Sequence, residues 1–171
     1  MGVRIYLIGF MGSGKTYRGR HLSEKLGLPF FDLDEQIVNH AGKSVTEIFA
    51  EQGEESFRLI EKDTLQLITQ SHQSFIMSCG GGTPCYFDNM AYMKQQGVVV
   101  WINTPMPILF NRLIKEKEKR PLIKDLSNDQ LLDFINKKLA DRKLFYEQAH
   151  RILQEEDLSL DAIILKIFNP S

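Results

Sequence analysis

Residues 9–16 read GFMGSGKT, close behind the start of the chain. They fill the pattern G-x-x-x-x-G-K-[ST], with Gly9, Gly14, Lys15 and Thr16 in its fixed places. Glycines let a backbone turn with its N–H groups pointing inward, which makes a nest for phosphate oxygens. A helix that starts directly afterwards aims its unpaired N–H groups and positive dipole end at the same anion. In such a cradle Gly12, Ser13 and Gly14 shape the turn, Lys15 reaches the β- and γ-phosphates, and the Thr16 hydroxyl can ligate Mg²⁺. The motif requires a buried strand before it and a helix after it. VRIYLI (3–8) is short, apolar and β-branched and stops at Gly9. From Lys15 the pattern turns helical, with Tyr17, Leu22 and Leu26 apolar among charged residues and Gly27 placed to end the helix. The stretch therefore predicts a nucleoside triphosphate site at the first strand–helix junction of an α/β domain.

Outward from this junction the alternation continues. LPFFDLD (28–34) reads as a second strand, followed by a helix near Glu35–His40, a break at Gly42 and helical segments to about Thr69. SFIMSC (74–79) and GVVVWI (97–102) read as strands three and four, and a short fifth lies near His150–Leu153. Helices are expected near Pro107–Lys115, over 127–147, and at the end through Ile163, Ile164 and Ile167, with the polar run KEKEKR (115–120) lacking any period. Strands alternating with helices predict a three-layer α/β/α fold with a five-stranded parallel sheet, helices on both faces and ligands at the carboxyl ends of the strands. The 171 residues fit one domain, 1–171.

Composition narrows the function. Lys and Arg total 21 against 22 Asp and Glu, a net charge of −1, which gives no electrostatic reason for a nucleic-acid or membrane-surface partner. Cys79 and Cys85 lack CxxC spacing and read as reduced thiols of a cytoplasmic protein. The N-terminal run lacks the apolar core and cleavage site of a signal peptide, and Tyr6 stands where a myristoylation signal needs Ser or Thr. No apolar run approaches the ~18 residues of a membrane span.

The cradle does not say what receives the phosphate. The base-reading N-K-x-D of GTPases is absent, and the third strand ends in Cys79-Gly80-Gly81-Gly82 instead of the usual magnesium-side Asp. The carboxylate must come from FFDLDE. There Asp32 and Asp34 alternate along an extended segment and would point the same way. One would serve Mg²⁺ through water and the other would accept a hydrogen bond from a substrate hydroxyl. Alternatively they are solvated acids, with Asp34 capping the next helix. Arg58, in ESFRLIE, is either a planar fork for a carboxylate or an ion-pair partner of Glu61 or Glu54. Arg120, in KRPLI, is a lid arginine or the end of a solvated charge run. Arg142, in ADRKLFYEQA, reads on spacing alone as a surface arginine. Gly80, Gly81 and Gly82 either form a flexible turn or let the backbone approach a ligand.

Taken together, GFMGSGKT, FFDLDEQI, SFRLIE, CGGGTP, RPLI and DRKLFYEQA resemble the shikimate kinases in order and separation, from about residue 4 to 150. These are P-loop kinases of the nucleoside-monophosphate kinase fold with a small mobile lid, here about 113–127. The resemblance implies ATP- and Mg²⁺-dependent phosphorylation of the 3-hydroxyl of shikimate; a monomer is the default for a small kinase with no obvious association stripe. It implies that Lys15 polarises the transferring phosphate and that Thr16 and Asp32 serve Mg²⁺. Asp34 would act as base or orienter, Arg58 and Arg142 would clamp the shikimate carboxylate, and Gly80, Gly81 and Gly82 would supply backbone contacts. Arg120 would close from the lid onto the phosphates. The chain departs from the family pattern at Tyr17, where Ser or Thr is usual, and at Leu113, where a lid-side arginine that stacks on adenine is often found; Arg112 lies one position earlier. A kinase for another small hydroxy acid or a nucleoside monophosphate, and a noncatalytic ATP-binding module, are the rival readings.

Overall fold

A computed structural model describes residues 2–169. Strands β1 (Arg4–Ile8), β2 (Phe30–Asp32), β3 (Phe75–Ser78), β4 (Val98–Ile102) and β5 (Arg151–Leu153) form one parallel sheet in the order β2-β3-β1-β4-β5. Parallel neighbours cannot be joined by tight turns and need crossovers. The crossover and flanking helices are α1 (Lys15–Leu26), α2 (Leu33–Ala41), α3 (Val45–Ser71), α4 (Asn89–Gln96), α5 (Met106–Glu116), α6 (Asn128–Tyr146) and α7 (Leu160–Phe168).

The two-residue alternation of β1 divides the core. Ile5 and Leu7 pack with Leu22 of α1 and with Ile163 and Ile167 of α7, whereas Tyr6 and Ile8 pack with Leu33, Leu65, Met93 and Tyr146 from α2, α3, α4 and α6. Both faces of the sheet are thus covered, which is why the strands read as nearly unbroken apolar runs. A third cluster joins Phe10 to Leu109 and Leu113 of α5, Ile123, and Leu131 and Ile135 of α6, beneath the segment 117–127. Among the described residues no helix is long and apolar enough to cross a membrane, and both cysteines are free.

One local expectation fails. FFDLDE is not extended throughout: β2 stops at Asp32 and α2 begins at Leu33. Leu33 and Ile37, four apart, are fully buried in this helix, so the 3.6-residue period wins over the two-residue one. Asp32, not Asp34, is the N-cap, its Oδ1 accepting the Glu35 N–H at 3.2 Å. Asp34 lies in the first helical turn, so the two carboxylates are presented by different backbone conformations. The short helix α4 is absent from the sequence-based expectation, because only Asn89, Met90 and Met93 of its eight residues are buried. The helical segments expected between Gly42 and Thr69 are present as two helices that meet at a kink at Gly53, where φ is 85° and the backbone is not helical; together they span α3, whose start is capped by a Ser44–Glu47 box.

Candidate active site

In an all-parallel sheet the carboxyl ends of the strands share one edge, and a crevice opens where chain connections diverge to either side. Here that point is β1, flanked by β3 and β4, and the loop after β1 is GFMGSGKT. Gly9, Gly12 and Gly14 have φ of 147°, 81° and 87°. A side chain at Gly9 would also place Cβ 2.8 Å from the Ile102 carbonyl oxygen. Gly14 is the N-cap of α1 and no side chain caps that helix, so its first N–H groups face the loop's concavity.

Lys15 is only 8% exposed, and its Nζ donates to the Gly9 and Phe10 carbonyls at 2.7 and 3.0 Å. Burial pushes its pKa down to about 8, partly offset by the Asp34 carboxylate. Ser13 is turned inward: its side chain is buried and its N–H donates to the Phe10 carbonyl. The Thr16 hydroxyl donates to Asp32 Oδ2 at 2.9 Å and lies 3.1 Å from the Ser78 hydroxyl at the end of β3. Arg112 donates from Nη1 to the Gly12 carbonyl at 3.0 Å and pairs with Glu155 at 3.6 Å. Tyr17 is 60% exposed and stacks on His21 with ring centroids 4.3 Å apart.

Two cavities meet at this edge. The first, about 560 Å³, is lined by Gly14, Lys15, Thr16, Asp32, Ser78 and Arg112, among others. The second, about 470 Å³, has an apolar side formed by Val45, Phe49 and Phe57 and a polar side formed by Arg58, Gly82 and Arg142. Met11, Asp34, Gly80, Gly81 and Arg120 belong to both. Asp34 therefore stands at the junction. Enclosure in the crevice pushes its pKa up to about 6, the Glu61 and Asp32 carboxylates push the same way, and Lys15 and Arg58 oppose them. Its side chain is exposed because it opens onto the cavities.

The second cavity is held by a buried network. Arg58 is 8% exposed and Glu61 1%; Nη1 of the arginine donates to Glu61 Oε1 at 3.0 Å. The other Glu61 oxygen accepts from the Thr83 hydroxyl at 2.8 Å, and Asn89 in turn donates to the Thr83 carbonyl. Arg58 also lies over the Tyr86 ring at 4.2 Å. Arg58 is thus an ion-pair partner of Glu61, as one of its two readings has it, and it also lines the cavity. The three glycines all have ordinary negative or extended φ, so close approach, not backbone freedom, requires them. A Cβ on Gly82 would lie 2.7 Å from Arg58 Nη2, and one on Gly81 would lie 2.8 Å from Arg142 Nη1. One turn past Arg142, the Tyr146 hydroxyl donates to the Gly81 carbonyl at 2.6 Å. Arg120 is bound by Glu116, four residues earlier, through two hydrogen bonds of 3.0 and 2.8 Å.

Every candidate ligand-binding residue of the sequence except Gly9 and Ser13 lines one of the two cavities. Arg142, unremarkable by spacing, is brought there by α6. Sequence reasoning missed Ser78, Tyr146 and the structural weight of Glu61. Their signals are faint: a hydroxyl closing an apolar strand, and partners three or four residues from Arg58 and Arg142.

Comparison with known proteins points to one family. The shikimate kinase family model matches residues 11–170. A shikimate kinase of Azobacteroides pseudotrichonymphae is 45% identical over 161 residues, covering 94% of this chain and 95% of that one. The crystal structure of shikimate kinase from Bacteroides thetaiotaomicron superposes with a TM-score of 0.89 at 38% identity, covering 96% of each chain. The shikimate kinase from Acinetobacter baumannii in complex with shikimate superposes with a TM-score of 0.87 at 32% identity, covering 99% of this chain and 94% of that one. The chain belongs to the shikimate kinase family.

Proposed function

We propose that this protein transfers the γ-phosphoryl group of ATP to the 3-hydroxyl of shikimate, giving shikimate 3-phosphate and ADP. The observation that carries the reading is the position of Asp34, whose carboxyl belongs both to the phosphate-loop cavity and to the arginine-walled cavity beside it. A phosphoryl donor and a hydroxyl acceptor must meet at one point, and phosphoryl transfer is mostly positioning and charge neutralisation.

The residues fit both ligands. The positive-φ glycines and uncapped α1 N-terminus form an anion cradle. Thr16, Asp32 and Ser78 gather two hydroxyls and one carboxylate, and among the described residues no full cage of acidic, His or Cys groups forms. That donor set suits Mg²⁺, which prefers hard oxygens, takes one or two carboxylates and keeps several waters. When bound, Mg·ATP supplies the transferable phosphoryl group and a divalent charge that neutralises its oxygens.

In this reading Lys15 leaves its loop carbonyls to hold phosphate oxygens, and Thr16 and Asp32 would hold the metal. Asp34 accepts the hydrogen of the acceptor hydroxyl, and a carboxylate with pKa near 6 is a better base than an ordinary one at neutral pH. Arg58 and Arg142 grip the shikimate carboxylate, while the backbone of Gly80, Gly81 and Gly82 and the apolar face of Phe49 and Phe57 fit the ring. Arg120 exchanges Glu116 for the phosphates as segment 113–127 closes. Arg112 braces the Gly12 carbonyl. One chain supplies every group named, which supports a monomer; the whole chain is read as a single cytoplasmic domain, without nucleic-acid or membrane partners.

The test is ADP release from Mg·ATP with shikimate, gluconate, AMP, CMP or no acceptor. Turnover with shikimate alone is expected. Turnover with another acceptor would reassign the second cavity, and none with any, despite ATP binding, would favour a noncatalytic module.

A further inference from the structure

We infer that Tyr146 is a positioning residue of the acceptor site: its hydroxyl fixes the Gly81–Gly82 peptide so that the Gly82 N–H is presented to the acceptor. The inference rests on the functional reading above and adds to it a residue that makes no contact with either ligand.

Tyr146 ends α6, is fully buried, and packs its ring against Trp101 of β4 with centroids 5.5 Å apart. Its hydroxyl donates to the Gly81 carbonyl at 2.6 Å. Burial raises its pKa to about 12, so it stays a donor at any working pH. In a trans peptide the C=O and the next residue's N–H point in opposite directions. Holding the Gly81 carbonyl toward the core therefore turns the Gly82 N–H away from it, and Gly82 lines the acceptor cavity. Among the described residues no backbone carbonyl accepts from that N–H. The side chain on the same helical face one turn earlier is Arg142, whose Nη1 would lie 2.8 Å from a Cβ on Gly81. Residues 142 and 146 of one helix thus both lie against the same glycine, and the Tyr146 hydroxyl is also within hydrogen-bonding reach of the Arg142 guanidinium. The hydroxyl indexes α6, and with it the Arg142 guanidinium, against the glycine turn. Glycine needs such a restraint because its backbone is the least confined of any residue.

Tyr146→Phe removes one oxygen and keeps the ring that packs on Trp101. The expected result is a rise of about tenfold in shikimate Kd and KM, the scale of one lost hydrogen bond, with ATP affinity near wild type and a melting temperature lowered only by the few degrees that one unsatisfied carbonyl costs. Equal shikimate affinity in variant and wild type overturns the inference. So does a parallel loss of shikimate affinity, ATP affinity and melting temperature, which marks a merely structural hydroxyl. The wild-type protein supplies an independent check: the Gly82 amide resonance should shift on titration with shikimate, and an unmoved resonance in a protein that binds shikimate refutes the presentation of that N–H. A wild-type protein that binds no shikimate at all overturns the functional reading itself, and this inference with it.

Discussion

Replacing Asp34 by Asn should make the protein more stable and nearly inactive. The carboxyl is enclosed at the junction of two cavities with Glu61 and Asp32 nearby, and its pKa rises from the ordinary 3.8 to about 6. A raised carboxylate pKa means that the folded state disfavours the charge. The penalty is absent below the unfolded value, grows as pH climbs from about 4 to 6, and is complete above the folded value. A shift of this size corresponds to about 3 kcal/mol at most. Because the side chain opens onto the solvent-accessible crevice, screening reduces this to about 1 kcal/mol. For a domain of this length that is about 2–4 °C of melting temperature. Thermal unfolding of both proteins at pH 7.5 and pH 4 should show the variant's advantage at the higher pH and its loss at the lower. Steady-state ADP release should fall by at least ~100-fold, the scale of a lost general base. A variant that is less stable at pH 7.5, or whose advantage does not change with pH, would refute the electrostatic reasoning; near-normal turnover would remove Asp34 from the chemistry.

Three further outcomes are expected. Lys15 has a pKa lowered to about 8 in the ligand-free fold, so its charge is lost as pH rises through that value and ATP affinity, read by calorimetry, should weaken between pH 7 and 9.5; Lys15→Ala should abolish turnover at any pH. Gly82→Ala would set a Cβ 2.7 Å from Arg58 Nη2, and since Glu61 holds the guanidinium from behind, shikimate KM should rise about tenfold while ATP KM stays constant. Arg142→Ala should weaken shikimate binding by roughly 1.5–3 kcal/mol, the range for a hydrogen bond to a charged group, and an unchanged acceptor KM would exclude a carboxylate clamp at that residue.

Much of the molecule is legible in its residues alone. GFMGSGKT names its own ligand because its glycines, lysine and threonine act within one loop, and the apolar strand before it and the helix after it are local as well. The parallel sheet follows from the alternation of strands and helices, since such strands cannot pair without crossovers. FFDLDE shows the limit. Its residues suit an alternating strand, but burial of Leu33 and Ile37 against the core starts the helix at once and gives Asp32 the cap. Helix α4 is hidden because a two-turn helix with so few buried positions carries hardly any period.

By itself the sequence determined the phosphate cradle and the fold class, because each depends on neighbours within a few positions or on the plain succession of elements. Only the tertiary structure decided which charges meet. Arg58 gains Glu61 through a helical turn, but Thr83 reaches Glu61, and Gly82 reaches Arg58, from beyond β3. Arg142 and Tyr146 meet Gly81 from over sixty residues away along the chain. Asp34 acquires its altered acidity first from the crevice that encloses it and then from the charges that neighbouring elements bring to the sheet's carboxyl edge. Coulomb forces and hydrogen bonds act through space over a few ångströms, and no spacing along the chain records which distant residues the packing of α3 and α6 will bring within that range.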